Sequence, residues 1–180
     1  MDPRLVERAR SGDRDAYEAL ARRSVDRLHA VAYGITRDPD RAADAVQQAL
    51  VEMWRDLPSL RDVTRFEGWS YRLVVHASLQ ELRRRVRVRP LSIDSPADDR
   101  DVAADVALRD QLERGLAALT PDHRAVVVLR HLVGLSIDEI ADVLGIPRGT
   151  AASRLHHATS ALRAAIEAGN RPVLAGGQQA

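Results

Sequence analysis

Residues 135–163 read LSIDEIADVLGIPRGTAASRLHHATSALR, and this stretch decides the fold of the second half of the chain. Ser136 stands three residues before Glu139, which is the spacing of a capping box at the start of a helix. Gly145 ends that short helix, and Pro147 starts the next one. The second helix has one apolar stripe, formed by Ala151, Leu155, Ala158 and Leu162. The pattern predicts a helix-turn-helix.

The other face of the second helix carries the candidate DNA-binding residues. These side chains are basic or polar: Arg148, Thr150, Ser153, Arg154, His156 and His157. Residues 145–166 contain no acid, which favours a polyanion as the partner. Such a helix fits the major groove, where its N-terminal residues reach base edges and its Arg side chains bind phosphate. The alternative is a plain helical hairpin with solvated Arg, which the missing acids disfavour.

Further helices are predicted on the N-terminal side of this motif. Residues 108–119 place four leucines in helical register: Leu108, Leu112, Leu116 and Leu119. Thr120 and Pro121 are the N-cap and first residue of the next helix, which Gly134 ends. Amphipathic helices are also predicted over about 15–35, 40–57 and 66–86. The 40–57 helix has an apolar face of Ala42, Val46, Leu50, Met53, Trp54 and Leu57, and polar residues on the other side: Asp44, Gln47 and Gln48.

Charge is distributed unevenly along the chain. Residues 65–89 contain seven Arg and two Glu, whereas residues 90–107 contain five Asp and one Arg. The 66–86 helix offers Arg72, His76 and the run Arg83–Arg85, with Trp69 near its start. Aromatic rings beside basic side chains suit single-stranded nucleic acid, whose bases stack on them. Alternatively, Trp69 belongs to the core and the Arg run is an ordinary basic helix end.

Composition excludes several classes of protein. The chain has 180 residues and no cysteine, which excludes disulfides, Cys-ligated zinc and thiol chemistry. Few aromatics and many helix formers predict an all-α protein. No apolar stretch reaches the roughly 20 residues that span a bilayer, and no signal peptide is evident, so we expect a cytoplasmic protein without membrane insertion. No metal-ligand spacing, activated nucleophile or phosphate loop is present, so we expect no enzyme and no metal or other cofactor.

Two segments resemble a known family. They are AADAVQQALVEMWRDL at 42–57, and the run LTPDHRAVVVLRHLVGLSIDEIADVLGIPRGT that continues to SRLHHA. In this order they resemble a bacterial RNA polymerase sigma factor of the extracytoplasmic-function (ECF) group of the sigma-70 family, over roughly 13–85 and 108–163. The resemblance implies two small helical domains, sigma region 2 at 1–88 and sigma region 4 at 108–168. We expect a flexible acidic linker between them at 89–107 and a disordered tail at 169–180.

The resemblance also implies partners and site residues. Asp44 and Gln47, with Gln48 beside them, match the helix that docks on the clamp helices of core RNA polymerase, whose flap is a second expected contact. The loop 57–65 and the following helix match the part that reads the minus-10 promoter element, with candidate residues Arg65, Trp69, Arg72, His76, Arg83, Arg84 and Arg85. Thr150, Ser153 and Arg154 match the helix that reads the minus-35 element, for which Arg148, His156 and His157 are further candidate residues.

Some positions depart from the family pattern and leave alternatives open. Val75-His76 stands where an Arg-Asn pair is frequent, and Ala151-Ala152 stands where Val-Lys is usual. One alternative is a stand-alone helix-turn-helix regulator that binds operator DNA as a dimer. Another is a degenerate sigma-like protein that binds a partner without initiating transcription. Members of this group are often held by an anti-sigma factor, and no residue pattern here identifies one.

Overall fold

The computed structural model describes residues 1–86 and 111–169. In what we call the first half lie α1 (Pro3–Arg10), α2 (Arg14–Thr36), α3 (Pro39–Asp56) and α4 (Phe66–Val86), with 3-10 turns at Leu57–Ser59 and Val63–Arg65 before α4. In the second half lie α5 (111–117), α6 (Pro121–His131), α7 (Ile137–Leu144) and α8 (Arg148–Gly169). Within the described ranges there is no strand, and the predicted all-α class is confirmed. Leu108, the predicted linker 89–107 and residues 170–180 of the predicted tail lie outside the described residues.

Helix starts are set by side-chain caps. Asp38 accepts the backbone N–H of Arg41 at 3.0 Å at the start of α3. Ser136 and Glu139 form the predicted capping box at α7, since each side chain accepts the other residue's backbone N–H. Gly145 ends α7 in the left-handed conformation, with φ of 64°. The eight-residue helix α1, which begins at N-cap Asp2, was not predicted because it buries only two side chains.

Two hydrophobic clusters hold the helices together. One lies within the first half and consists of Val6, Ala9, Ala16, Leu20, Met53, Leu57 and Phe66. The other extends across both halves, because buried side chains of α2, α3 and α4 join those of α6, α7 and α8. Val74 and Val75 of α4, for example, belong to the same cluster as Leu129 of α6 and Ile140 of α7, and all four are completely buried. The two halves are therefore packed against each other.

Two residues predicted for the core are exposed. Trp54 is 42% exposed because it follows the buried Met53 by one residue, which turns it about 100° around α3. Leu112 is 43% exposed. In α4, Phe66 and Ala77 are buried, whereas Trp69 and Leu73 are only partly buried.

Candidate nucleic-acid interface

The turn and the core fix the orientation of α8. Ala151 and Ala158 are completely buried and face the rest of the molecule, as predicted. The turn before them is closed by the Ile146 N–H, which donates to the Ala141 carbonyl at 3.1 Å. The opposite face of α8 is open to solvent, and it carries four of the predicted residues: Arg148, Ser153, His156 and His157.

The remaining two predicted α8 residues are half-buried. Arg154 retains 30% side-chain exposure, and its guanidinium lies 3.5 Å from the Asp122 carboxylate of α6. Thr150 accepts the Ser153 hydroxyl hydrogen bond at its carbonyl, at 3.1 Å. By contrast, Arg148 forms an exposed pair with Asp138 at 2.8 Å, which solvent and salt screen strongly. Arg154 is therefore the basic side chain of this set that the fold positions most firmly.

His156 and His157 lie closer together than their sequence suggests. Adjacent residues on a helix are predicted to point to different sides, yet the two ring centroids are 5.7 Å apart with planes at 68°. Both side chains are exposed, so this face of α8 presents two neighbouring imidazoles. No group of three potential metal ligands occurs in the described ranges.

One exposed face of α4 continues the predicted set of basic residues. Arg65, Trp69, Arg72, His76 and Arg83 recur at spacings of three, four and seven, which keeps them on one side of a helix. Arg65, at 81% side-chain exposure, and Arg72, His76 and Arg83 are all exposed. Trp69 is partly buried, with its ring 6.0 Å from that of Phe66. The side chain of Arg85 lies outside the described residues.

Both acids of α4 have ion-pair partners. Glu67 accepts a hydrogen bond from the Met1 ammonium at 2.6 Å and lies 3.3 Å from the Arg27 guanidinium. Glu81 pairs with Arg84 at 2.9 Å, so Arg84 carries a partly compensated charge. No acid of α4 therefore lies on the exposed face made by Arg72, His76 and Arg83, while Arg65, just before α4, lies 3.6 Å from the Asp62 carboxylate in an exposed pair.

His76 contributes hydrogen bonding rather than charge at neutral pH. Partial burial lowers its pKa from the usual 6.5, and the neighbouring cations Arg72 and Arg83 lower it further. Glu52 acts in the opposite direction but does not reverse the shift. A neutral imidazole has one donor and one acceptor nitrogen, which suits a base edge as well as a phosphate.

The exposed side of α3 contains an apolar groove that the sequence did not predict. Its volume is about 530 Å³, and it lies between α2 and α3, lined by Tyr17, Val25, His29, Ala43, Val46, Gln47, Leu50, Val51 and Trp54. Val51 is 58% exposed, which is unusual for a valine on a helix that packs into the core. The helical period could have revealed it, because Val51 and Trp54 follow Gln47 at intervals of four and three.

The predicted polar residues of α3 flank this groove. Asp44 and Gln47 are exposed, as predicted, and Gln47 is itself part of the lining. Gln48 is half-buried, and its amide donates to the Glu52 carboxylate at 2.8 Å along the helix. The face is therefore apolar in its centre and polar at its edge, the usual anatomy of a protein–protein interface.

Comparison with known proteins identifies the family. Residues 20–88 match the family description Sigma-70 region 2, and residues 109–162 match Sigma-70, region 4. The chain is 34% identical over 163 residues to the ECF RNA polymerase sigma factor SigM of Mycobacterium tuberculosis, covering 89% of this chain and 82% of the relative. The chain belongs to the ECF group of the sigma-70 family.

Further relatives cover most of this sigma factor. The ECF RNA polymerase sigma-E factor of Escherichia coli is 31% identical over 179 residues, covering 89% of this chain and 92% of the relative. The SigE factor of Mycolicibacterium smegmatis is 34% identical over 164 residues, covering 85% of this chain, and the chain spans only 63% of that relative's length. The predicted family and the predicted class of function, promoter-directed transcription initiation, are confirmed.

Two solved structures share the fold of the sigma factor. One is CnrH in complex with the cytosolic domain of CnrY, with 28% identity, a TM-score of 0.68 and coverage of 93% of this chain and 97% of that one. The other is RpoE of Bartonella quintana in complex with the anti-sigma factor NepR, with 21% identity, the same TM-score and coverage of 86% and 98%. In residues 1–86 and 111–169, every helix of the sigma factor is too short or too polar to cross a membrane.

Proposed function

We propose that this sigma factor docks on core RNA polymerase through α3 and reads promoter DNA through α4 and α8. In this proposal region 2 spans 1–88, region 4 spans 108–168, and residues 89–107 link them. Sigma factors direct initiation without catalysing a reaction, so we assign no catalytic residue, and a factor that works on chromosomal promoters acts in the cytoplasm. The observation that carries the proposal is the exposed face of α4, on which Arg72, His76 and Arg83 recur and no acid of α4 lies.

The α4 face is suited to a melted minus-10 element. Its exposed residues combine three full positive charges with a neutral His76, next to the partly exposed ring of Trp69. Cations along a helix follow the sugar-phosphate backbone, and an aromatic edge accepts an unstacked base. We assign minus-10 contacts to Arg65, Trp69, Arg72, His76, Arg83, Arg84 and Arg85. Opening of the duplex there is driven by binding free energy.

The open face of α8 is suited to the major groove at the minus-35 element. Arg148 and Ser153 lie at the N-terminal end of the helix, where a docked recognition helix contacts base edges. Each good bidentate contact contributes about 1–3 kcal/mol of discrimination between bases. We assign minus-35 contacts to Arg148, Thr150, Ser153, Arg154, His156 and His157.

The groove beside α3 is the proposed docking site for core polymerase. Asp44 and Gln47 match the family helix that contacts the clamp helices, Gln48 is the neighbouring candidate residue, and the apolar groove lies along the same exposed side. Docking there would cover Val51 and Trp54, which are costly to leave in water. The flap of polymerase is the expected second contact, made by region 4.

An anti-sigma factor is a further proposed partner. One of the solved structures similar to this chain is RpoE bound to an anti-sigma factor, and the other is CnrH bound to the cytosolic domain of CnrY. A protein that covered the α3 groove would block polymerase and satisfy the same exposed apolar side chains.

The proposal is tested by co-elution of the purified protein with core RNA polymerase from a GC-rich bacterium. Such a bacterium is chosen because the chain has 27 Arg and no Lys, a bias that GC-rich codons produce. Run-off transcription on genomic fragments follows. The double variant Asp44→Ala with Gln47→Ala should lose core binding without unfolding, because both side chains are exposed. Arg22→Ala, which removes an exposed α2 side chain paired only with Glu18, is the matched control.

Each outcome distinguishes the hypotheses. Core binding with promoter-specific transcripts supports the sigma function. Core binding without transcripts supports a degenerate sigma-like protein. Tight binding to duplex DNA with no binding to core supports a stand-alone regulator. If the double variant binds core as well as the unsubstituted protein does, the assignment of the α3 docking face is wrong.

A further inference from the structure

The short helix α1 packs directly against the loop 57–65 that precedes α4. Val6 of α1 is completely buried, and it belongs to the same hydrophobic cluster as Leu57, which begins the loop, and Phe66, which follows it. Leu60, in the middle of the loop, packs against this cluster as well. The helix α1 lies before residues 20–88, which match Sigma-70 region 2. One side of the loop is therefore supported by a helix outside the matched residues.

Arg10, the last residue of α1, joins the helix to the loop by a hydrogen bond. Its Nη1 atom donates to the backbone carbonyl of Leu60 at 3.0 Å, and its Nη2 atom donates to the Glu7 carboxylate at 2.6 Å. Glu7 lies one turn earlier in α1, so this second contact fixes the direction of the guanidinium. The Arg10 side chain is only 30% exposed, which shields the bond to Leu60 partly from water.

In the described part of the chain, the other hydrogen bonds of the loop join near neighbours in sequence. The Leu60 N–H donates to the Leu57 carbonyl at 3.0 Å. The Asp62 carboxylate accepts the backbone N–H of Thr64 at 2.9 Å and the hydroxyl of Thr64 at 2.6 Å. These bonds shape each 3-10 turn but do not attach the loop to another helix. Arg10 makes that attachment, at a carbonyl between the two turns.

The outer side of the loop is polar. Arg61, Asp62 and Thr64 are exposed, so the loop presents hydrogen-bond donors and acceptors to solvent. Such groups recognise a base that has left its stack through hydrogen bonds to the edge of the base. A site that is formed in only a fraction of the molecules binds more weakly by that fraction. A contact that holds the loop in one shape therefore raises its affinity without touching the base.

We propose that Arg10 is a positioning residue for minus-10 recognition: by holding the Leu60 carbonyl, it keeps the loop 57–65 in the shape that takes an unstacked base. The inference rests on the proposed function, which assigns this loop and α4 to the minus-10 element. Arg10 acts through the backbone of the loop and is not itself a DNA contact.

Amide hydrogen exchange of the free, full-length chain tests the attachment itself. Arg10→Met keeps the apolar stem of the side chain and removes its donors. The hydrogen-bonded amides of Leu60 and Thr64 should then exchange about 5- to 30-fold faster, while the amides of α2 keep their rates. Arg4→Met, at an exposed position of the same helix, is the matched control and should leave the loop unchanged.

Strand binding by the complex with core polymerase tests the role in recognition. The probe is the non-template strand of a promoter identified by run-off transcription, with each minus-10 nucleotide replaced in turn by an abasic one. The unsubstituted protein should lose affinity sharply at the position of the captured base. Arg10→Met should bind the intact strand about 5- to 30-fold more weakly and lose little more at that position, because the two changes remove the same interaction. Abasic substitutions elsewhere should have the same effect in both proteins.

A general structural defect would give a different pattern from a positioning role. In Arg10→Met, helical content, core binding and duplex minus-35 binding should stay as in Arg4→Met. Arg10→Lys retains a charged donor and should recover part of the lost strand affinity. If Arg10→Met loses helical content, Arg10→Gln, whose neutral side chain is too short to reach Leu60, takes its place in both experiments.

Three results would overturn the proposal. Equal loop exchange in Arg10→Met and Arg4→Met would show that Arg10 does not hold the loop. Faster exchange with the full abasic effect retained would show that the held shape is not used to take a base. Loss of core binding to the same extent as strand binding would make Arg10 structural. If no abasic position matters in the unsubstituted protein, the assignment of the loop to the minus-10 element is wrong, and hydrogen exchange still decides separately whether Arg10 holds the loop.

Discussion

Replacing Trp54 with alanine should weaken binding to core polymerase while the protein stays folded. Trp54 lies at the edge of the α3 groove, is 42% exposed, and packs edge-on against Tyr17 with ring centroids 4.7 Å apart. Tyr17 is further held by its hydroxyl, which donates to the Leu50 carbonyl at 2.5 Å. The groove wall therefore keeps its shape when the indole is removed, and the exposed 42% of Trp54 is the part that a partner would cover.

The size of the effect follows from the exposed area. A tryptophan side chain covers up to about 250 Å², so 42% exposure leaves roughly 100 Å² for a partner to cover. At about 25 cal/mol per Å², complete coverage contributes about 2.5 kcal/mol, or a factor of roughly 70 in Kd. Incomplete coverage and reorganisation reduce this value. We expect core affinity to fall between about 10-fold and 70-fold.

The assay is a titration of labelled protein with core polymerase, read by fluorescence anisotropy, together with a thermal melt of each variant. Arg22→Ala, on the outer face of α2, should bind core with unchanged affinity. An unchanged Kd for a folded Trp54→Ala variant would show that the groove is not covered in the complex. If Trp54→Ala loses helical content, its weaker binding would reflect unfolding. Val51→Ser, at a position that is 58% exposed, would then be the variant used to test docking.

Three further predictions concern DNA binding and stability. Arg154→Ala should weaken duplex promoter binding in a gel-shift titration and leave core binding intact. Asp122→Asn, which neutralises the partner of Arg154, should retain DNA affinity. Equal losses of DNA binding and core binding in Arg154→Ala would mean that Arg154 is structural. Arg72→Ala should weaken binding to single-stranded minus-10 DNA and leave duplex minus-35 binding unchanged in the same assay. Hydrogen bonds from Ser136 lower the pKa of Glu139 below its usual 4.5, so its contribution to stability is present above that pH and disappears as pH falls through the lowered value. In thermal melts, Glu139→Gln should be less stable than the unsubstituted protein at pH 7 and equal to it once the pH has fallen below the lowered pKa of Glu139, and a difference that persisted there would exclude the charge as its cause.

Local sequence signals predicted the helices well because each one is decided by a few neighbouring residues. The capping box at Ser136, the N-cap at Thr120 and the left-handed Gly145 involve residues within a turn of each other. Such signals leave little choice about where a helix begins or ends. The exposed face of α4 followed from the helical period in the same way.

What the sequence did not reveal depends on residues that are far apart in the chain. Trp54 was placed in the core because it follows apolar residues, whereas α2 covers Met53 and leaves the indole at the groove. The contact of Gly34 with Val128 joins positions 94 residues apart, and no local pattern connects them. Charge counts also failed to show that Arg124 of α6 is buried, with Arg37 and Arg41 near enough to lower its pKa.

The packing of the two halves against each other explains one departure from the family pattern. Val75 stands where the family often has Arg, and it is completely buried among side chains of both halves. An arginine at this position would add a charge to a boundary that already buries Arg124, so valine fits the observed packing. The exposed α4 face does not include position 75, and its basic residues are retained. The departure at Val75 therefore bears on how the halves pack. By contrast, the half-buried Ala152 of α8 stands where the family usually has Lys, and we infer that this position lacks a DNA contact.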